Sequence, residues 1–242
     1  VRLLRVSGLS KLEVPAPPLL RRAAAEAIAA FFLVFAGCGA IVTNATQGNQ
    51  LGPVGISIVF GLIIMAMIYA IGHLSGAHIN PAVTLAFWAI RHFPAKDAAA
   101  YVCAQMVGAI GAALTLLAVW PAKPAALGAT VPHVGTGAAL LYETLLTAIL
   151  MFVIIAVATD SRAGGATAAL AIGGAVGLGA LFGGQITGAS MNPARSLGPA
   201  LVVGEWHDFW IYVAGPVLGA LLGATAYLLI RMPQTPPGRR LA

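Results

Sequence analysis

Two stretches of the chain carry the same tripeptide: SGAHINPAVTLAF at residues 75–87 and TGASMNPARSLGP at residues 187–199. Extended backwards, GHLSGAHINPAVTLAF from Gly72 aligns residue for residue with GQITGASMNPARSLGP from Gly184. Asparagine is a favoured helix N-cap because its side-chain oxygen accepts a backbone N–H of the first turn, and a proline placed next has no N–H to leave unsatisfied. Each Asn-Pro-Ala therefore marks a helix start. The apolar runs that follow, about 80–90 and 192–203, are too short to cross a bilayer core, which needs roughly 20 residues. Runs of this length fit re-entrant segments, which need protein or a water-filled cavity around them because loose backbone cannot face lipid.

Six other apolar segments approach or reach spanning length, at about 23–43, 54–72, 97–119, 137–158, 167–184 and 208–231. The 242 residues are 60% hydrophobic and 8% charged, whereas about 25% of an ordinary soluble domain is charged. The fold class expected is an all-α membrane protein, with six transmembrane helices and two re-entrant half-helices. Residues 23–231 then form one domain, with a first repeat at about 23–119 and a second at about 137–231. Flanking it are an N-terminal tail, 1–22, and a C-terminal tail, 232–242. The first tail is basic, is interrupted by Pro15, Pro17 and Pro18, and lacks the cleavage site of a secretory signal.

The net charge of +6 sits in the tails and a few connections and forms no stripe along a helix, so it points to membrane topology and not to a nucleic-acid partner. An even number of spans puts both termini on one side. Arg2, Arg5, Lys11, Arg21, Arg22, Arg91, Lys96, Arg162, Arg231, Arg239 and Arg240 all fall on that side, leaving only Lys123 and Arg195 elsewhere. By the positive-inside rule the termini are cytoplasmic, as expected for a multi-pass protein of the plasma (inner) membrane.

Three spans per half give the halves opposite orientations, an inverted repeat with a site near the midplane where broken helices supply their ends. The positive dipole ends of the two short helices converge there and repel cations. With the oxygens of Asn80 and Asn192 used in capping, their amide nitrogens are oriented donors for a permeant. The turns before them, Gly76-Ala77-His78 and Gly188-Ala189-Ser190, are small enough to run extended and to line a pore with carbonyls. Arg195 follows Asn192 by three positions on the same helix face, and a charge at membrane depth is a functional hypothesis by default. Set to the outer side of the midplane, it donates to permeant oxygens and adds a barrier to cations and protons.

Both loops, HINPAV and MNPAR, the glutamates Glu26 and Glu143 at matched places in the two opening helices, and the repeat spacing together resemble the aquaporin, or major intrinsic protein, family. The likeness runs from about residue 20 to 231. It implies one pore per subunit in a homotetramer, with passive, proton-excluding transport. By position it also implies an aromatic/arginine constriction of Phe60, Ala180, Ala189 and Arg195. Water-selective members usually carry histidine where Ala180 stands, so a wider and more apolar constriction is expected. Ser196 stands where glycerol-conducting members usually have aspartate; Tyr212 matches water channels but Val213 does not. FLVFAGCGA and GASMNPARSLGPALV look most like the nodulin-26-like branch and its bacterial relatives. That resemblance implies water together with glycerol-like polyols or hydroxylated metalloids such as arsenous, boric or silicic acid.

Glu26 and Glu143 are expected to accept backbone N–H groups of their own re-entrant loops, with a proton-relay role as the rival. His78 is expected to border the pore and His73 to pack in the loop. With no carboxylate or cysteine cluster nearby, no metal site is expected and no cofactor is implied. Cys38 and Cys103 read as small buried hydrophobes. Trp120, Trp206 and Trp210, near helix ends, fit an interfacial belt. A strict water channel is the alternative within the class; a secondary transporter built on inverted repeats is the alternative outside it. An enzyme is not indicated, since no nucleophile and base pair is apparent.

Overall fold

A computed structural model describes residues 17–160, 163, 165 and 167–231. Residues 1–16 of the expected N-terminal tail, all of the expected C-terminal tail and Arg162 lie outside the described residues. Eight α-helices follow in order: α1 (Leu19–Thr46), α2 (Gly52–Ser75), α3 (Pro81–Ala89), α4 (Ala95–Val119), α5 (Thr136–Thr159), α6 (Ala168–Thr187), α7 (Pro193–Val203) and α8 (Ile211–Ile230). Six of them are long and apolar enough to cross a membrane. The other two, α3 with 9 residues and α7 with 11, rise about 14 and 17 Å at 1.5 Å per residue, so that end to end they cover about one 30 Å bilayer core.

Helix α1 starts earlier than the expected boundary at residue 22. Pro18 precedes its first turn, and Arg22, which the sequence reading assigns to the tail, is inside the helix and bonded to Asp97 of α4 at 2.7 Å. Packing residues give the directions. Ala27 and Phe31 of α1 meet Gly108 and Gly111 of α4, so these helices run parallel; Leu140, Thr144 and Ala148 of α5 meet Gly215, Gly219 and Gly223 of α8, again in parallel. Between the halves, Ser57 and Gly61 of α2 meet Gly177 and Gly173 of α6, which is antiparallel. The beginning of α1 and the end of α8 therefore share one face, called here the near face; the other is the far face.

These contacts are backbone-close. A Cβ on Gly108 would overlap the Ala27 carbonyl, one on Gly219 the Thr144 carbonyl, and one on Gly61 would stand 2.8 Å from the Gly173 carbonyl oxygen. In lipid, where apolar surface alone does not drive helix association, small residues that allow such close approach supply the dispersion contacts. Long apolar side chains such as Ile58, Leu62, Leu145 and Leu222 are exposed on the outside of the bundle, as a lipid-facing surface requires. Cys38 is buried, but Cys103 is exposed: the apolar run containing it is a lipid-crossing helix, so an apolar neighbourhood in sequence does not imply burial in protein. His73 likewise lies in the last turn of α2, exposed, and not in the loop.

Gly108→Val should lower the thermal midpoint of the detergent-solubilised protein by the equivalent of about 2 kcal/mol or more, because neither backbone can retreat. Gly137→Ala, which meets nothing within 4 Å, should leave the midpoint unchanged. Equal midpoints for the two variants would contradict the close-approach account.

Candidate functional site

Both loops that precede the short helices are built around a buried carboxylate. Glu26 Oε1 accepts from the Ser75 hydroxyl at 2.7 Å and the His78 N–H at 2.9 Å, and its Oε2 accepts from the Ile79 N–H at 2.6 Å. In the second half, Glu143 Oε1 accepts from the Thr187 hydroxyl at 2.7 Å and the Ser190 N–H at 2.9 Å, and its Oε2 from the Met191 N–H at 2.9 Å. Tyrosines brace the helix ends from behind: Tyr101 donates to the Ser75 carbonyl at 2.8 Å and Tyr212 to the Thr187 carbonyl at 2.7 Å.

The sequence predicts extended turns here, and the structure differs: the backbone is left-handed. Gly76, Ala77 and Ile79 have φ of 86°, 49° and 55°, and Gly188, Ala189 and Met191 have φ of 83°, 42° and 53°. Left-handed backbone costs a non-glycine residue about 1–3 kcal/mol and persists only where its surroundings over-determine it. Here the surroundings are the glutamates, since the left-handed turns aim two successive N–H groups at one carboxylate. The opposite carbonyls are left over. Those of Gly76, Ala77, His78, Ala189 and Ser190 accept no hydrogen bond among the described residues, and all five residues line one cavity.

At the end of each loop an asparagine caps the short helix. Asn80 Oδ1 accepts from Ala82 N at 2.9 Å; Asn192 Oδ1 accepts from Ala194 N at 3.0 Å and Arg195 N at 3.3 Å. The amide nitrogens cross between the halves. Asn80 Nδ2 donates to the Met191 carbonyl at 2.7 Å, and Asn192 Nδ2 to the Ile79 carbonyl at 2.9 Å. A carboxamide has two N–H donors, so each asparagine keeps one beyond this cross-tie. Both asparagines line the cavity, whose volume is about 310 Å³.

The cavity runs from Phe60 and Arg195, on the far side of the asparagines, to His92 and Thr159 at the near-face ends of α3 and α5. Phe60, Ala180, Ala189 and Arg195 all line it. The Arg195 guanidinium is 5.2 Å from the centre of the Phe60 ring and donates through Nη1 to the Gly128 carbonyl at 2.7 Å. Arg195 is 2% exposed, and its Nε has no hydrogen-bond partner among the described residues. In the register that pairs Asn80 with Asn192, Phe60 answers Ile172, Ala180 answers Ile68, Ala189 answers Ala77 and Arg195 answers Val83. The four counterparts line the near side of the same cavity, so the repeat is symmetric in backbone and asymmetric in chemistry.

His78 lines the cavity and is packed against Phe87 and Phe93, ring centres 4.9 and 4.7 Å away. Gly188 does not line it: a Cβ there would meet Thr130 at 3.0 Å, on the side turned away. Ser190 turns its hydroxyl towards Ser196, 2.6 Å away, which is itself bonded to Thr130 at 2.8 Å. It therefore contributes backbone to the cavity. Gln105, Thr84 and Gly128 escape sequence reasoning. Gln105 donates to Glu26 at 2.8 Å and Thr84 at 3.1 Å, and no repeat marks it, because in the register of α4 and α8 that pairs Tyr101 with Tyr212 its counterpart is Pro216. Among the described residues no group of three or more His, Cys, Asp or Glu side chains is placed to hold a metal ion.

Replacing Glu143 by Gln would turn an N–H towards the N–H of Met191 or Ser190. Thermal unfolding should show a loss of about 1–3 kcal/mol, the cost of leaving buried donors unpaired. An unchanged midpoint would remove the carboxylate from the support of the loop.

Residues 13–227 match the family described as Major intrinsic protein. Over 219 residues, covering 90% of this chain, the sequence is 48% identical to Aquaporin NIP1-1 of Oryza sativa subsp. japonica, of which it covers 77%. It is 46% identical to Nodulin-26 of Glycine max, again with 90% of this chain and 81% of that protein covered. The X-ray structure of the aquaglyceroporin from Plasmodium falciparum superposes with a TM-score of 0.78 at 26% identity, over 88% of this chain and 97% of that one. The chain therefore belongs to the major intrinsic protein family, as a multi-pass membrane protein of the aquaporin channel type and not an enzyme.

Proposed function

We propose that this chain is a passive, proton-excluding channel for water and small uncharged solutes of the glycerol or hydroxylated-metalloid kind. The observation that carries the reading is a single cavity lined at once by Asn80 and Asn192, by loop residues whose carbonyls accept no hydrogen bond among the described residues, and by Phe60, Ala180, Ala189 and Arg195. A neutral molecule with hydroxyls can exchange its water partners for carbonyl acceptors and for the amide and guanidinium donors as it moves. A cation meets two helix N-termini and an arginine, all of them positive. Proton exclusion follows from the same convergence, because an excess proton carried along a water file is a cation at that point.

The solute class rests on size. With alanine at 180 and 189 the walls beside Phe60 and Arg195 carry one methyl each, which leaves room for a carbon backbone or a trihydroxy acid. A strict water channel would be expected to close this gap with larger side chains. Alternating access, the competing mechanism, needs a coupling site, and Glu26 and Glu143 already accept three or more hydrogen bonds each from groups that hold their loops. The same reading carries a homotetramer in the plasma (inner) membrane with both termini cytoplasmic. In its support, Arg21, Arg22, Arg91, Lys96 and Arg231 gather at the near face while Lys123 is at the far one.

Stopped-flow light scattering of reconstituted vesicles, with water, glycerol and boric acid compared side by side, tests the reading. The wild type should pass all three faster than protein-free vesicles, without a driving gradient of any ion. Ala180→His should reduce glycerol and boric acid permeability by about tenfold while water falls less, since a pocket side chain discriminates at 1–3 kcal/mol. Solute fluxes untouched by the histidine would overturn the constriction assignment. Dependence of flux on an ion gradient would favour the transporter.

A further inference from the structure

We infer that Gly37 on α1 is a specificity-determining residue, which sets the width of the constriction from behind by seating the Phe60 ring. The inference rests on the proposed channel function. Gly37 is buried and does not itself line the cavity. A Cβ at this position would overlap Phe60 Cε1 and would lie 2.5 Å from Cζ and 2.6 Å from Cδ1, closer than side-chain carbons approach one another. The ring of Phe60 thus lies directly on the α1 backbone, and the missing methyl of Gly37 is the space it occupies.

The same ring lines the cavity, and its centre is 5.2 Å from the guanidinium of Arg195. Adding a methyl at 37 must drive the ring from α1 by more than about 1 Å to reach ordinary contact at about 3.5–4 Å, and the cavity that Phe60 lines offers that room. The next residue holds the other member of the pair. Cys38 Sγ lies 3.7 Å from the Gly128 carbonyl oxygen, the same oxygen that accepts Arg195 Nη1 at 2.7 Å. Gly128 is seated against Cys38, where a Cβ would meet the Cys38 Cβ at 2.8 Å. Adjacent positions of one helix therefore fix both walls, aromatic and cationic, while neither lines the cavity. By comparison Gly39, two residues on, would place a Cβ 3.6 Å from Leu116 Cδ2, an ordinary contact.

Wild type, Gly37→Ala, Phe60→Leu and the double variant are compared for glycerol and water permeability in reconstituted vesicles, with Gly39→Ala as the control. Gly37→Ala should lower the ratio of glycerol to water permeability by about tenfold, because the added methyl overpacks the contact and displaces the ring that lines the cavity beside Arg195. In the Phe60→Leu background the same alanine should leave the ratio within about twofold of Phe60→Leu alone, as expected when two residues act through one contact. Gly39→Ala should match the wild type. An unchanged ratio in Gly37→Ala, or an equal fall with and without Phe60, overturns the inference. If Gly37→Ala does not fold, the double variant should fold, because the clash is with the ring; a double variant that also fails overturns it. Wild-type vesicles that pass neither water nor glycerol overturn the channel function itself and the inference with it, whereas conducting wild type with an unchanged Gly37→Ala ratio removes the inference alone.

Discussion

Asn80 donates to the Met191 carbonyl at 2.7 Å and Asn192 to the Ile79 carbonyl at 2.9 Å, so each half of the chain is tied to the backbone of the other where two short helices begin. Everything else in the molecule makes that meeting possible. The short helices must start at mid-depth, so their caps and loops have to be satisfied without water. The asparagine oxygens cap the first turns, and Glu26 and Glu143 take the loop N–H groups. Because the N–H side of each loop is consumed by a carboxylate, the carbonyl side is left to face the cavity. A buried carboxylate is expensive alone; surrounded by donors from its own loop it becomes the form on which the loop is shaped.

The glycines act at a different level. At Gly61 and Gly173 they allow the halves to meet backbone to backbone, and at Gly108, Gly219 and Gly223 they do the same within each half. The bundle is drawn close enough for residues on four different helices, Phe60, Ala180, Arg195 and Leu150, to share one cavity. Its two ends differ in chemistry. On the far side an aromatic and an arginine oppose two alanines, while the positions that answer them on the near side are Ile172, Ile68, Ala77 and Val83. Arginine follows only the second Asn-Pro-Ala, and so the proposed charge barrier and the proposed constriction coincide at one layer.

Much of this was legible in the sequence. Asn-Pro-Ala is a cap with a mechanism, its two copies stand in register, and segment length separates spanning helices from half-helices. Glu26 and Glu143 could be found because they repeat. What was not legible lacks either a period or a side chain. Gln105 has Pro216 as its counterpart, so symmetry hides it. Gly128 acts through its carbonyl, presented by a turn over Pro124–Gly128 with left-handed residues at Ala125, Ala126 and Leu127, which no local residue pattern announces. The loops were expected to be extended because their residues are small. Instead they are left-handed, even at Ile79, because a carboxylate from another helix overrides local preference. Gly188 faces Thr130 and Cys103 faces outwards for the same reason: the direction in which a residue points is decided by packing, and composition carries only the element.

The central claim is that a neutral molecule crosses the paired asparagines and the arginine layer while a proton does not. Water flux by light scattering and proton flux by an entrapped pH dye, measured on one batch of reconstituted vesicles across a range of protein-to-lipid ratios, test it most directly. Water permeability should rise in proportion to protein while proton flux remains at the level of protein-free vesicles. Proton flux that rose with protein alongside water would contradict the account.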